Sequence, residues 1–146
     1  MKIRLIWTGK TKERFILDGV RKYLKLLGRY ADVSITEIKE EKGADIQKSL
    51  EKTGERILKL KLPYLLLDEK GRSFSSVEFA EYIGRPEYPL NFVLGGAYGV
   101  SEKVKEMADG RIALSRMTFT HEMTRLILLE QMYRAFTIIH KSGYHH

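Results

Sequence analysis

Residues 2–7, KIRLIW, alternate polar and apolar from Lys2 to Leu5 and then stay apolar, and read as a β-strand. Over residues 12–27, KERFILDGVRKYLKLL, the period becomes helical and sets Phe15, Val20, Tyr23, Leu24 and Leu27 on one face. DVSITEI (32–38) returns to β-branched alternation. Residues 45–60 predict a helix with an Asp45 cap and apolar positions at Ile46, Leu50, Ile57 and Leu58. YLLLD (64–68), just after Pro63, suits a strand covered on both faces. A turn is expected around Gly71, and then Ser75 and Glu78 take capping-box spacing at the head of SSVEFAEYI. NFVL (91–94) predicts another buried strand, followed by a helix from Ser101, a short strand RIALS (111–115) and the longest helix over 121–140. Alternating strands and helices predict an α/β fold, a mostly parallel sheet with helices on both faces. One domain spanning residues 1–146 accounts for the whole pattern.

The last helix departs from the simple rule. Glu130, Arg134, Thr137 and Lys141 fall on one narrow polar stripe, while Met123, Leu126, Ile127, Leu128, Met132, Tyr133, Phe136 and Ile138 crowd the rest. A helix covering one side of a small sheet needs an apolar stripe of about 100°. The surplus predicts burial on a second side, most simply against another copy of the chain, with wrapping by its own domain as the alternative.

Composition narrows the chemistry. The chain carries 26 Lys and Arg against 19 Asp and Glu, a net charge of +7 that favours a polyanionic partner. The densest basic set, Lys10, Lys12, Arg14, Arg21, Lys22, Lys25 and Arg29, equally suits the wet face of a helix. No cysteine is present, which excludes disulfides and thiolate chemistry. No apolar run approaches the roughly 20 residues that span a membrane, and the first residues are too interrupted for a signal peptide, so a cytoplasmic setting is expected. His121 and Glu122 do not form H-E-x-x-H, because position 125 is Arg; no metal site is expected.

Two segments could hold a ligand. In LNFVLGGAYGVSEKVKEMA (90–108), Gly95, Gly96 and Gly99 match neither the dinucleotide fingerprint nor the P-loop. A strand running into glycines and then a helix still sits where α/β sheets bind ligands, though a tight turn before a Ser101-capped helix explains it as well. In ALSRMTFTHEMTRLILLEQMYRAF (113–136), Thr120 can cap the helix and Glu122 favours its positive end. The SRMTFT stretch offers hydroxyls, backbone polar groups and the apolar Met117 and Phe119, which suits an adenine ring or an ordinary connection.

Taken in order, NFVLGGAYGVS, ALSRMTFTHEMTRLILLEQMYRAF and a terminal Tyr-His resemble the small SPOUT-class methyltransferases of large-subunit ribosomal RNA, in particular the family that methylates N3 of a pseudouridine. The resemblance extends from KIRLIWTGK to the final YHH. It implies a trefoil-knotted α/β fold, S-adenosylmethionine as methyl donor, ribosomal RNA or the ribosome as partner, and a homodimer. Carried over residue by residue, it implies cofactor contacts from Leu67, Gly96, Ser115, Arg116, Met117, Thr118, Phe119 and Thr120. On the substrate side it implies Glu130, Arg134, Tyr144 and His145, with His145 as base or orienter, Arg134 stabilising charge on the uracil carbonyls, and Tyr144 stacking or hydrogen-bonding. Many relatives have Pro where this chain has Thr120, and usually end in Lys or Arg where it ends in His146. A non-catalytic RNA- or ribosome-binding dimer of the same fold is the alternative; a small nucleotide-binding regulator is disfavoured by the missing phosphate motifs.

Overall fold

The computed structural model describes residues 1–85, 87 and 90–146. Strands β1 (Lys2–Thr8), β2 (Asp32–Ile38), β3 (Leu65–Ser73), β4 (Leu90–Leu94) and β5 (Gly110–Ala113) alternate with helices α1 (Arg14–Leu27), α2 (Ile46–Leu58), α3 (Ser76–Ile83), α4 (Glu102–Met107) and α5 (His121–Ile139). The strands form one parallel sheet in the order β2-β1-β4-β3-β5. The pleat decides which side each residue serves. Ile3, Leu5 and Trp7 of β1 and Leu90, Phe92 and Leu94 of β4 pack with α1, α3 and α5. The intervening Ile6 and Val93 turn the other way, against Ile57 of α2 and Val104 of α4. The α/β architecture with helices on both faces is as the alternation predicts.

Caps start four helices. Side-chain oxygens of Asp45, Ser75, Ser101 and Thr120 accept from the N–H three residues on, and Glu78 completes the capping box with Ser75. α1 has no such cap of its own. The N–H of its N-cap residue and of the residue before it are met from afar: Glu122 Oε1 accepts from Lys12 N at 2.9 Å and from Glu13 N at 3.0 Å.

Several sequence expectations change. Phe15 is 61% exposed and Ile46 46% exposed; α1 buries Val20 and Leu27 and packs Tyr23 and Leu24 against the core as expected, but Ile16 takes the place of Phe15. There is no turn at Gly71. β3 runs through it to Ser73, and its pairing with β5 resumes at Arg72 after an irregularity. A Cβ at Gly71 would stand 2.6 Å from the Arg111 carbonyl carbon, so the missing side chain serves close backbone approach within the sheet. Thr137 leaves the expected polar stripe: it is buried and donates its hydroxyl to Arg134 O at 2.7 Å. α5 packs against both α1 and α3, and Gly19 lets α1 come within 2.6 Å (from an added Cβ) of Leu126. Met123, Leu126, Ile127, Tyr133 and Ile138 remain only half covered, and Ile139 is exposed.

Candidate active site

The first half of β3 and the chain just beyond β4 and β5 border a cleft of about 340 Å³. Leu67, Ser115, Met117, Thr118 and Phe119, five residues expected to hold the cofactor, line it together with Asp68, Glu69, Gly95, Tyr98 and Gly99. The wall after β5 is bent, irregular chain held by polar side chains. Ser115 Oγ accepts from Met117 N at 2.9 Å, the Thr118 hydroxyl donates to the Glu69 carboxylate, and Thr120 Oγ1 accepts from Met123 N at 3.3 Å. Opposite, the glycine loop folds on itself. Gly99 has φ +81° and donates its N–H to Gly96 O at 3.0 Å, and a Cβ on Gly95 would stand 2.7 Å from Gly99. Only glycine permits that closure.

Three expected residues lie elsewhere. Arg116 and Thr120 are exposed and do not line this cleft. Gly96 opens on a neighbouring cleft of about 410 Å³, where an added Cβ would meet Glu40 Oε1 at 3.3 Å and Thr8 Cγ2 at 3.6 Å. The two clefts share Tyr98, Gly99 and Val100 as a common wall.

The four residues expected on the substrate side form a second cluster at the other end of α5. Lys141 and Gly143 adopt positive φ, which turns the tail back along the helix. Glu130 Oε1 accepts from Arg134 Nε at 3.1 Å, from Arg134 Nη2 at 2.8 Å and from the Tyr144 hydroxyl at 3.2 Å. The guanidinium lies 4.8 Å from the Tyr144 ring centre, and Tyr133 meets that ring edge-on at 4.8 Å. Arg134 Nη1 stands 3.2 Å from His145 Nδ1. A guanidinium has no acceptor, so Nδ1 supplies the lone pair and a neutral His145 carries its proton on Nε2. Burial pushes the Tyr144 phenol well above its usual 10, with the Tyr23 hydroxyl and the Glu130 carboxylate adding to the rise, so it stays a donor. Glu130, Arg134, Tyr144 and His145 are brought together, then, as the resemblance implies.

The two clusters do not meet within one chain. Thr124 lines the 340 Å³ cleft, and Arg134 follows it by ten residues, about 15 Å along a helix. A reacting pair must approach to about 3–3.5 Å.

The long-range bonds of Glu122 and Arg125 escaped sequence reasoning. Arg125 is fully buried, donates from Nη2 to Thr8 O at 2.6 Å and from Nη1 to Thr11 Oγ1 at 3.0 Å, and stacks 4.8 Å from the Trp7 ring. Burial lowers its pKa despite the surrounding Glu122, Glu37 and Glu40. The signal was present: Glu122, Arg125, Leu129 and Met132 share the helical face that packs inward. Burial, and next the Arg125 cation, lower the pKa of adjoining His121. Among the described residues there is no group of three or more potential metal ligands, and no helix long and apolar enough to cross a membrane.

Similarity to known proteins accords with this geometry. Residues 1–145 match the family model described as predicted SPOUT methyltransferase. The chain is 47% identical to the ribosomal RNA large subunit methyltransferase H of Geobacter sulfurreducens, with 100% of both chains covered. It is 46% identical to the protein of that name from Thermodesulfovibrio yellowstonii, with 99% of each covered. Among solved structures, it resembles a probable methylase family protein from Haemophilus influenzae, with TM-score 0.56, 9% identity, 99% of this chain and 70% of that one covered. It also resembles the SpoU methyltransferase AviRb from Streptomyces viridochromogenes in complex with AdoMet, with TM-score 0.50, 10% identity, 94% of this chain and 58% of that one covered.

Proposed function

The chain belongs to the SPOUT methyltransferase family, and from that premise we propose that it transfers a methyl group from S-adenosylmethionine to N3 of a pseudouridine in large-subunit ribosomal RNA. It does so in the cytoplasm as a homodimer, with the segment between β4 and α5 threaded as the family's trefoil knot. Ribosomal RNA methylation follows from the full-length relatives named for it. The choice of N3 follows from the resemblance of the Tyr-His tail and the SRMTFT segment.

The 340 Å³ cleft fits the cofactor. Leu66, Leu67, Ile112, Leu114 and Phe119 give apolar surface for an adenine ring, and Asp68 and Glu69 at the rim can accept from ribose hydroxyls or an ammonium group. The cofactor supplies an electrophilic methyl on a sulfonium. The remaining work belongs to the chain. Arg134, already clustered with Glu130, is placed to balance negative charge developing on the uracil carbonyls, a role worth 10²–10³ in rate for a single donor. In the observed pose the Nδ1 lone pair of His145 is taken by Arg134, so His145 presents Nε2–H and orients a carbonyl. It becomes a base for the N3 proton when Arg134 turns to the substrate. Tyr144, held protonated, packs or donates against the base.

One observation supports the homodimer: none of Glu130, Arg134, Tyr144 and His145 lines the cofactor cleft of its own chain, whose lining residue on α5 is Thr124, ten residues before Arg134. A second copy packed on the half-covered outer side of α5 brings its tail to the first copy's cleft and completes two centres. The test is mass mapping of ribosomal RNA from a deletion strain, with and without complementation. The deletion should remove one methyl from one pseudouridine and complementation should restore it. Unchanged RNA would overturn the enzymatic reading in favour of a non-catalytic ribosome-binding dimer.

A further inference from the structure

Helix α1 presents to solvent a line of positive charge that has no role in the reading above. Arg14, Arg21 and Lys25, at i, i+7 and i+11, lie on the side of the helix away from its buried Ile16, Val20 and Leu27. Lys22 and, just past the helix, Arg29 stand beside them, and all five are exposed. The one acid within α1 is Asp18, which meets Arg14 at 3.6 Å with both side chains mostly in water. Arg21, Lys22, Lys25 and Arg29 make no ion pair among the described residues, and Glu37, which lines a cavity with Arg21, makes none with it.

A helix face that is merely wet carries both signs. α2 is of that kind: Lys48 and Lys52 alternate with Glu51 and Glu55, and Arg56 is paired with Glu41 at 2.8 Å. On α1 the charges repel instead, Arg21 and Lys25 at i, i+4 and Lys22 and Lys25 at i, i+3. Such pairs weaken a free helix, and an anion lying between them turns the repulsion into attraction.

Place is the second observation. The Lys22 ammonium lies 5.6 Å from the Tyr23 ring centre, and Tyr23 in turn hydrogen-bonds Tyr144. The Tyr23 ring is 6.1 Å from that of Tyr133, which meets Tyr144 at 4.8 Å. Arg29 precedes Tyr30, whose ring is 6.2 Å from Tyr133. The basic line therefore borders the cluster of Arg134, Tyr144 and His145, with aromatic rings between them.

The proposed reaction specifies the polyanion. N3 lies on the pairing edge of pseudouridine, so the target base must be unpaired when it is methylated. Unpaired RNA is held by cations along its phosphates and by aromatic rings against its bases. The geometry points to α1 as the track for the sugar-phosphate backbone of the unpaired strand beside the target, with Arg14, Arg21, Lys22, Lys25 and Arg29 neutralising its phosphates. The inference rests on the proposed function and supplies its hold on the RNA. Arg14 to Lys25 covers about 16 Å of helix, so the line meets successive phosphates, and the strand then passes Tyr23 into the tail cluster.

The experiment measures binding to ribosomes from a deletion strain across a range of salt, and kcat and KM for methyl transfer to them. One variant carries Arg21→Gln, Lys25→Gln and Arg29→Gln together. The control carries Lys48→Gln, Lys52→Gln and Lys59→Gln, which removes the same charge from α2 and its end. The α1 variant should lower the slope of log affinity against log salt by about 2 and raise KM for ribosomes about tenfold or more, with kcat and calorimetric S-adenosylmethionine affinity unchanged. The α2 variant should stay near the wild type in all four. An α1 variant whose slope and KM match those of the α2 variant would overturn the inference. Arg21→Gln and Lys25→Gln singly, each expected to lower the slope by about 0.7, decide the matter should the triple variant not fold; wild-type slopes in both would overturn it. A wild type that binds with the α1-dependent slope yet transfers no methyl supports this surface and overturns the proposed function.

Discussion

The two ends of α5 each carry a glutamate and an arginine at helical spacing, Glu122 with Arg125 and Glu130 with Arg134, and they use them in opposite ways. Near the N-terminus the pair is turned inward. Glu122 holds the N–H groups just ahead of α1, and Arg125 ties the end of β1 to the helix through Thr8 and Thr11. Every one of those bonds reaches a segment more than 100 residues away, so the pair holds the fold together. Near the C-terminus, Glu130 and Arg134 bond each other and the residues just beyond the helix, Tyr144 and His145. In the proposed function those bonds are exchanged for a substrate, and none of them ties distant parts of the fold together. The same two residue types are structural where their partners are distant backbone, and available for chemistry where their partners are a short tail.

This contrast can be broken at either end. The largest effect is expected from Arg125→Ala: it leaves the Thr8 carbonyl and the Thr11 hydroxyl without their donor and a void beside Trp7, together costing about 2–5 kcal/mol, read as a lower urea midpoint or loss of soluble protein. Arg134→Ala should do the reverse, costing under about 1 kcal/mol of stability as a partly exposed pair but lowering methyl transfer by about a hundredfold. A stability loss equal to that of Arg125→Ala would erase the distinction. Removal of Tyr144 to His146 should abolish most transfer while calorimetry finds cofactor affinity unchanged; an undiminished rate would take the tail out of the mechanism. Thr120→Ala, which deletes the α5 cap between the two functions, should cost about 1 kcal/mol in thermal unfolding.

The smallest effect concerns pH. Burial and Arg125 hold the pKa of His121 below its usual 6.5 in the folded protein. The unfolded chain therefore binds this proton first, so stability falls as pH drops below 6.5 and levels off beneath the folded pKa. Denaturation midpoints measured across that range should lose part of their slope in His121→Asn.

How much of this was legible in the sequence depended on whether a residue's partners are local. The strands expected at 2–7 and 32–38 and the Asp45, Ser75, Ser101 and Thr120 caps follow from neighbouring residues, and the structure bears them out, with the first strand one residue longer. Phe15 and Ile46 were misread because a helical face can be fixed only to within about one residue when apolar side chains lie on both sides of it. Gly71 suggested a turn because glycine usually punctuates; its actual neighbour is the Arg111 backbone, forty residues on. Gly96 raised the same difficulty: the glycine loop is evident in the sequence, but the cleft that each glycine faces is set by Glu40 and Thr8, from two other connections. Arg125 excluded a metal motif in the sequence, and only the folded chain puts Thr8 and Trp7 around it.

The distance along α5 also has a kinetic meaning. If the tail of one copy serves the cleft of another, specific activity must fall on dilution, with the rate turning second order in protein once dimers dissociate. Two inactive proteins should then rescue each other. Mixed in equal amounts, chains lacking Tyr144 to His146 and chains with a blocked cofactor cleft form mixed pairs in which one centre draws both its halves from intact parts. Random exchange restores about a quarter of the centres, whereas a chain that completes its own site restores none.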